Sequence, residues 1–158
     1  MTDVPVAAID GPSGSGKGTV ATTVARELGW HYLDSGAIYR LLGHLAYTRG
    51  IAFDDENGLV SLAQHLDLSF TDGEVWLDGA LIGDIIRTEE AGKRASLVSP
   101  IPAVRETLLV WQRSQARMPG LVADGRDMGT VVFTTAICKI FLTASPQARA
   151  ERRFKQLR

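Results

Sequence analysis

Residues 4–19 read VPVAAIDGPSGSGKGT, and the reading of this stretch decides the fold. Val4, Val6, Ala7, Ala8 and Ile9 make a short apolar run, the composition of a buried strand. Gly11, Gly14 and Gly16 break it at once, and a helical pattern begins after Lys17. Strand, Gly-rich loop and helix, with G-x-x-x-x-G-K over residues 11–17, have the spacing of a phosphate-cradling P-loop. Glycines let successive backbone N–H groups point into one concavity. The new helix brings its positive end to the same place, and Lys17 adds a full charge. A flexible surface loop would not explain a lysine at a helix start, where the dipole disfavours it. Composition alone produces such a pattern in roughly one chain of this length in twenty, so the strand before it, Gly14 and the helix after it carry the weight. The expected cradle is Gly11, Pro12, Ser13, Gly14, Ser15, Gly16, Lys17, Gly18 and Thr19. Gly18 follows the lysine, so the hydroxyl that P-loops usually offer to a metal is displaced to Thr19.

A chain of 158 residues supports one domain with a sizeable core and a small insert. The net charge of −1 argues against a broad basic surface for nucleic acid or membrane. Of the 17 Lys and Arg residues only Lys17, Lys93, Lys139 and Lys155 are lysines. An arginine excess suits the handling of phosphates and carboxylates, although a genome-wide Arg, Ala and Gly preference would also produce it. Cys138 sits in an apolar run and reads as a buried core residue; no disulfide within the chain and no Cys/His metal spacing exist. The N-terminus lacks a signal-peptide pattern and no apolar run approaches membrane-spanning length, so the expected home is a reducing cytoplasm.

Along the chain, the helix after the loop carries Val20, Val24, Ala25 and Leu28 on one face and stops at Gly29. A short strand over residues 30–33 ends in Asp34-Ser35-Gly36. The helix from Ala37 places Ile38, Leu41, Leu42, Leu45 and Ala46 at helical spacing, and a shorter one follows over 57–66. Residues 68–82 alternate with period two around Asp72-Gly73 and Asp78-Gly79, an antiparallel meander with two hairpin turns. A polar helix is expected over about 85–97 and another over about 103–117, with Val104, Leu108 and Trp111 inward. Strands then recur at 120–123 and 138–142, and Ser145-Pro146 caps a last helix with Ala150, Phe154 and Leu157 on one face. The fold class is α/β, a P-loop three-layer αβα arrangement on a parallel sheet. One domain spans 1–158, with the antiparallel insert at about 64–100.

In an open parallel sheet ligands bind beyond the carboxyl ends of the strands. Three segments leave such ends: the P-loop, residues 34–40 (DSGAIYR) and residues 124–130 (DGRDMGT). Arg40 reads as lying in the first turn of its helix, where a cation is disfavoured unless an anion is near. Two arginines, Arg40 and Arg126, beside a P-loop imply one phosphate site for a donor and one for an acceptor. A surface ion pair for Arg40 and a cap for Asp127 are the structural alternatives.

GPSGSGKGT, YLDSGAIYR and ADGRDMGTVVF together resemble the bacterial cytidylate kinase family, among the nucleoside monophosphate kinases. The likeness runs over about residues 6–157, and in that family the meander belongs to the monophosphate-binding insert. The resemblance implies that the P-loop, with Lys17 foremost, holds the ATP phosphates. Arg40 and Arg126 would clamp the CMP phosphate, and Ser35, Ser96, Arg105 and Asp127 would line the cytosine pocket. Lys17, Arg40 and Arg126 would be catalytic. The reaction implied is transfer of the ATP γ-phosphoryl group to CMP, and to dCMP, with Mg²⁺ as cofactor. Thr19, Asp34 and Asp124 are candidate metal contacts through water, unranked by sequence.

Family members continue past residue 158 with an arginine-rich lid, a final strand and a helix. Without them the strand at 138–142 is expected at an exposed edge, and the 158 residues, if they are the whole molecule, are expected to be a monomer and inactive or very slow; normal turnover in a coupled ADP-release assay would contradict that, and a fragment of a working kinase is the favoured explanation. Arg149, Arg152 and Arg153 precede the lid region and are not counted as its substitutes. The alternatives are a non-catalytic nucleotide-binding fragment, or another small-molecule P-loop kinase, for adenylate or shikimate, sharing only the first motif. No Asn-Lys-x-Asp motif of a regulatory GTPase occurs.

Overall fold

Val6–Asp10 forms strand β1, and all five residues, Asp10 included, are buried. The computed structural model describes residues 3–157; residues 1, 2 and 158 of the expected domain lie outside the described residues. Two compact units divide the chain, one up to Ser35 and from Arg113 onward, the other Gly36–Gln112.

In the first unit β1 pairs in parallel with Leu121–Gly125 (β6) and with Cys138–Phe141 (β7). His31–Asp34 (β2) pairs in parallel beyond β6, so the order is β2-β6-β1-β7. Lys17–Leu28 (α1) packs on this sheet through Ala21 and Ala25, which join Ala7, Ile9 and Val122 in one buried cluster. The expected face differs here. Val20 and Leu28 are exposed, because the small residues Ala21 and Ala25 are the ones seated against the sheet. Gly29, left-handed at φ 66°, closes α1 by returning its N–H to the last turn. Trp30 then lies against Gly120, where an added Cβ would run into the indole ring.

All four residues of β7 are exposed, Cys138 among them. The expectation of a buried cysteine is therefore corrected. Among the described residues β7 pairs with β1 alone, which makes it an edge whose apolar residues are not covered on both sides. Pro146–Gln156 (α7) begins as expected, with Ser145 accepting from the Ala148 N–H at 3.1 Å and Pro146 in the first turn. Its Phe154 and Leu157 are exposed.

The second unit holds most of Ser35–Thr48 (α2), whose expected stripe of Ile38, Leu41, Leu42, Leu45 and Ala46 is buried. Glu56–Gln64 (α3) is capped by Asp55 and buries Leu59, Leu62 and Ala63. Leu68–Thr71 (β3), Glu74–Leu77 (β4) and Ala80–Leu81 (β5) form the antiparallel meander. Both Asp-Gly pairs turn with positive φ at each residue, 54° and 75° at Asp72-Gly73 and 49° and 81° at Asp78-Gly79. That is the turn whose twist matches the strands it joins. The polar helix expected over 85–97 is two helices, Gly83–Ile86 (α4) and Glu89–Val98 (α5). Thr88 breaks it, because its hydroxyl accepts the Ala91 N–H at 3.1 Å and starts a new helix with Glu89 and Glu90 in the first turn. Pro102–Ser114 (α6) is shorter than expected, burying Val104, Leu108 and Gln112 with Trp111 half-buried. α2 meets α5 on one stripe: Gly43 has no room for a Cβ beside the Arg94 backbone (2.9 Å), and the Arg94 guanidinium lies 3.8 Å over the Tyr47 ring.

Gly120→Ala forces the methyl group into the Trp30 ring and is expected to cost about 1–3 kcal/mol, the range for overpacking. Urea unfolding followed by tryptophan fluorescence measures it; an unchanged midpoint would show that the ring moves aside freely.

Candidate functional site

Aspartates stand at the carboxyl ends of three neighbouring parallel strands: Asp10 in β1, Asp34 in β2 and Asp124 in β6. Asp34 pairs with Asp124, and Asp10 with Gly125. The three segments singled out by sequence therefore leave the same edge of one sheet, where ligands of such sheets bind.

At β1 the P-loop opens with the Gly11 N–H donating to the Gly125 carbonyl at 3.2 Å, which extends the ladder into the loop. Gly14 and Gly16 hold positive φ, 75° and 89°, and α1 starts at Lys17 without a side-chain cap. A helix start of this kind leaves N–H groups for an anion. The Ser15 hydroxyl is buried with no hydrogen-bond partner, a second donor suited to a phosphate oxygen. Lys17 Nζ donates to Asp124 Oδ1 at 2.7 Å, and the Tyr32 hydroxyl donates to Oδ2 at 2.9 Å. Asp124 is 2% exposed, so both oxygens need these donors.

The segment after β6 is not a plain loop. Met128–Val132 makes one π-helical turn, with the Asp127 carbonyl accepting from the Val131 and Val132 N–H groups at 2.9 and 3.1 Å. Such turns recur at functional sites. Asp127 caps this turn through its backbone carbonyl, not its side chain. Arg126 is exposed and its Nη2 donates to the Ser13 hydroxyl at 3.2 Å, which joins this segment to the P-loop. Ser35 is buried beside them; a Cβ on Gly125 would come within 3.1 Å of its Cβ and 2.9 Å of Met128 Cγ. Gly125 is required by that crowding.

Within the second unit, Arg40 lies in the second turn of α2, not the first, since the helix begins at Ser35. At that position the positive end of the helix dipole does not disfavour Arg40 as expected. Its Nη1 donates to the Ile86 carbonyl at 3.2 Å, at the end of α4, and its Nη2 lies 3.5 Å from where a Gly92 Cβ would be. The Ser96 hydroxyl donates to the Gly92 carbonyl at 3.1 Å. Arg105 donates to the Ser99 carbonyl and stands 5.9 Å over the Tyr39 ring, next to Arg40 in sequence. Arg40 and Ser96 thus share the Gly92 turn.

Sequence reasoning missed several residues. Asp10 is buried and binds two backbone N–H groups of the π-helical turn. Tyr32 completes the shell of Asp124. Arg149 Nε donates to the Ser13 carbonyl at 3.0 Å, and Arg152 Nη1 to the Gly14 carbonyl at 2.9 Å. The three-residue spacing of these arginines placed both on one face of α7, a signal that was present. Among the described residues no group of three or more His, Cys, Asp or Glu forms a protein cage for a metal.

A cytidylate kinase family model matches residues 7–158. A cytidylate kinase of Pseudomonas fluorescens is 56% identical over 160 residues, covering 98% of this chain and 70% of that protein. A cytidylate kinase of Chromobacterium violaceum is 58% identical over 154 residues, covering 98% and 69%. One of Pseudomonas aeruginosa is 55% identical over 161 residues, covering 98% and 70%.

Lys17→Met leaves a buried carboxylate short of a donor and is expected to destabilise the ligand-free protein by about 1–3 kcal/mol. Adding Asp124→Asn to it should recover part of that loss, because the remaining group is no longer charged. Urea unfolding of both variants reads the difference; a double variant no more stable than Lys17→Met would exclude the pairing as the cause.

Proposed function

Because the chain belongs to the cytidylate kinase family, we propose that it transfers the γ-phosphoryl group of ATP to CMP, giving CDP and ADP, with dCMP as a second acceptor. The observation that carries the site assignment is the Arg126–Ser13 hydrogen bond, which puts the segment assigned to the acceptor in contact with the loop assigned to the donor. A phosphate oxygen of CMP attacks the γ-phosphorus while the bond to the β-phosphate bridging oxygen breaks and ADP leaves. That oxygen is already anionic, so no protein base is required. Positioning and charge stabilisation remain as the work of the chain.

The roles follow the chemistry of each group. The start of α1, the Ser15 hydroxyl and Lys17 hold the donor phosphates, for which Lys17 exchanges part of its contact with Asp124. Gly11, Pro12, Ser13, Gly14, Gly16, Gly18 and Thr19 shape the cradle. Arg149 and Arg152 bring further positive charge to the same loop. Arg40 and Arg126 clamp the acceptor phosphate, since guanidinium groups match phosphate oxygens in pairs. Ser35, Ser96, Arg105 and Asp127 contact the nucleoside. Cytosine offers an N4 amino donor that the Asp127 carboxylate accepts, while its O2 and N3 accept from Arg105. Uracil turns an oxygen toward Asp127 and is rejected for the mismatch. Residues 64–100 are assigned to monophosphate handling. Mg²⁺, when bound with ATP, supplies neutralisation of the charge that builds on the transferring group. Thr19, Asp34 and Asp124 would hold it through water. Among the described residues, no helix is long and apolar enough to cross a membrane.

Asp127→Ala is expected to lower the preference for CMP over UMP by about tenfold or more, as the loss of a buried specificity contact does. ATP affinity should change far less. A panel of CMP, dCMP, UMP and AMP measures it, and equal discrimination by variant and parent would defeat the assignment.

A further inference from the structure

Asp10 ends β1 one residue before the P-loop, yet its carboxylate serves the neighbouring segment. One oxygen accepts the Met128 N–H at 2.8 Å and the other the Gly129 N–H at 2.9 Å. The residue is 7% exposed, and both contacts are buried. Hydrogen bonds to an ionised acceptor are roughly twice as strong as neutral ones, and stronger still away from water. On the other side, the Gly11 N–H holds the Gly125 carbonyl at 3.2 Å. The backbone after β6 is thus fastened to the P-loop stem at 125 and again at 128–129. The residues between the fastenings are Arg126 and Asp127.

We infer that Asp10 is a positioning residue for the nucleoside monophosphate: by tying Met128 and Gly129 to the P-loop stem, it holds Arg126 and Asp127 at the angle that binds phosphate and reads the base. The inference rests on the assignment of Arg126 and Asp127 to the CMP site. Asp10 itself touches no substrate in this scheme. Its effect passes through two backbone N–H groups, and a site held within a fraction of an ångström depends on such supports. An oxygen pair is needed because the two N–H groups belong to consecutive residues. A carboxamide offers one oxygen and would set its own N–H₂ against the second donor.

Calorimetric titration of the full chain with CMP, UMP and ATP, for Asp10→Asn, Asp10→Glu, Asp127→Ala and the parent, tests this. Asp10→Asn is expected to weaken CMP about tenfold, the factor for one lost hydrogen bond to a charged acceptor, and to flatten the CMP-to-UMP ratio. Its Kd for ATP should move by less than about twofold, since uniform loosening would instead weaken both nucleotides. Asp10→Glu keeps the charge and both oxygens on a longer arm, so it displaces the turn and shifts CMP in the same direction; it decides the matter if Asp10→Asn does not fold. Unchanged CMP affinity in a folded variant, or ATP affinity falling in step with CMP, overturns the inference. If Asp127→Ala loses discrimination while both Asp10 variants keep it, the inference fails and the site assignment stands. Asp127→Ala with full discrimination removes both.

Discussion

Parallel pairing of Val6–Asp10 with Leu121–Gly125 is the constraint from which the site follows. In a parallel ladder both strands finish on the same edge, so whatever each strand leads into must share that edge. The pairing of Asp10 with Gly125 aligns the ends to the residue, and the first P-loop peptide continues the ladder through the Gly11 N–H. Strands buried on both faces carry little periodicity to set their register, because an apolar side chain is acceptable either way up. Polar residues at the ends supply what the pattern lacks. Asp10, Asp34 and Asp124 stand where the sheet meets its polar edge, and a slip would carry a carboxylate inward among Ala8, Ile9, Leu33 and Ala123 without the donors it has now.

Charge is then concentrated where it would be costly without partners. Asp124, almost wholly buried, is held by Lys17 and Tyr32, and Asp10 by two backbone N–H groups. Lys17 at a helix start is disfavoured by the dipole, and the carboxylate beside it offsets that. Arg126, Arg149 and Arg152 all donate to Ser13 or Gly14. The loop therefore collects cations on its carbonyl and hydroxyl oxygens while its helix start and the Ser15 hydroxyl remain for an anion. Phosphoryl transfer asks a protein for that division, since the chemistry supplies its own nucleophile and the protein supplies position and charge.

What could be read from the chain came from signals that act within a few residues. The P-loop glycines, the buried stripe of α2, the two Asp-Gly turns and the Ser145-Pro146 cap each depend on local backbone preference, and each stands as expected. Two of the readings that failed depended on neighbours distant in sequence. Val20 and Leu28 look as apolar as core residues, but packing seats Ala21 and Ala25 against the sheet. Cys138 lies in an apolar run, and only the strand order reveals that the run is an edge. The break at Thr88 is local instead, a cap inside the stretch that reads as one polar helix.

The sequence by itself determined the local chemistry: a glycine loop able to turn its N–H groups inward, a lysine at its end, and acidic and arginine residues following two further strands. Short-range sterics and side-chain type suffice for that. Tertiary structure alone decided which of these groups meet, because Lys17 and Asp124 are separated by most of the chain and only parallel pairing makes them neighbours. It also decided that Asp10 serves the turn after β6 and not the loop it introduces, since a carboxylate goes where buried N–H groups lack a partner, and no spacing along a chain records that.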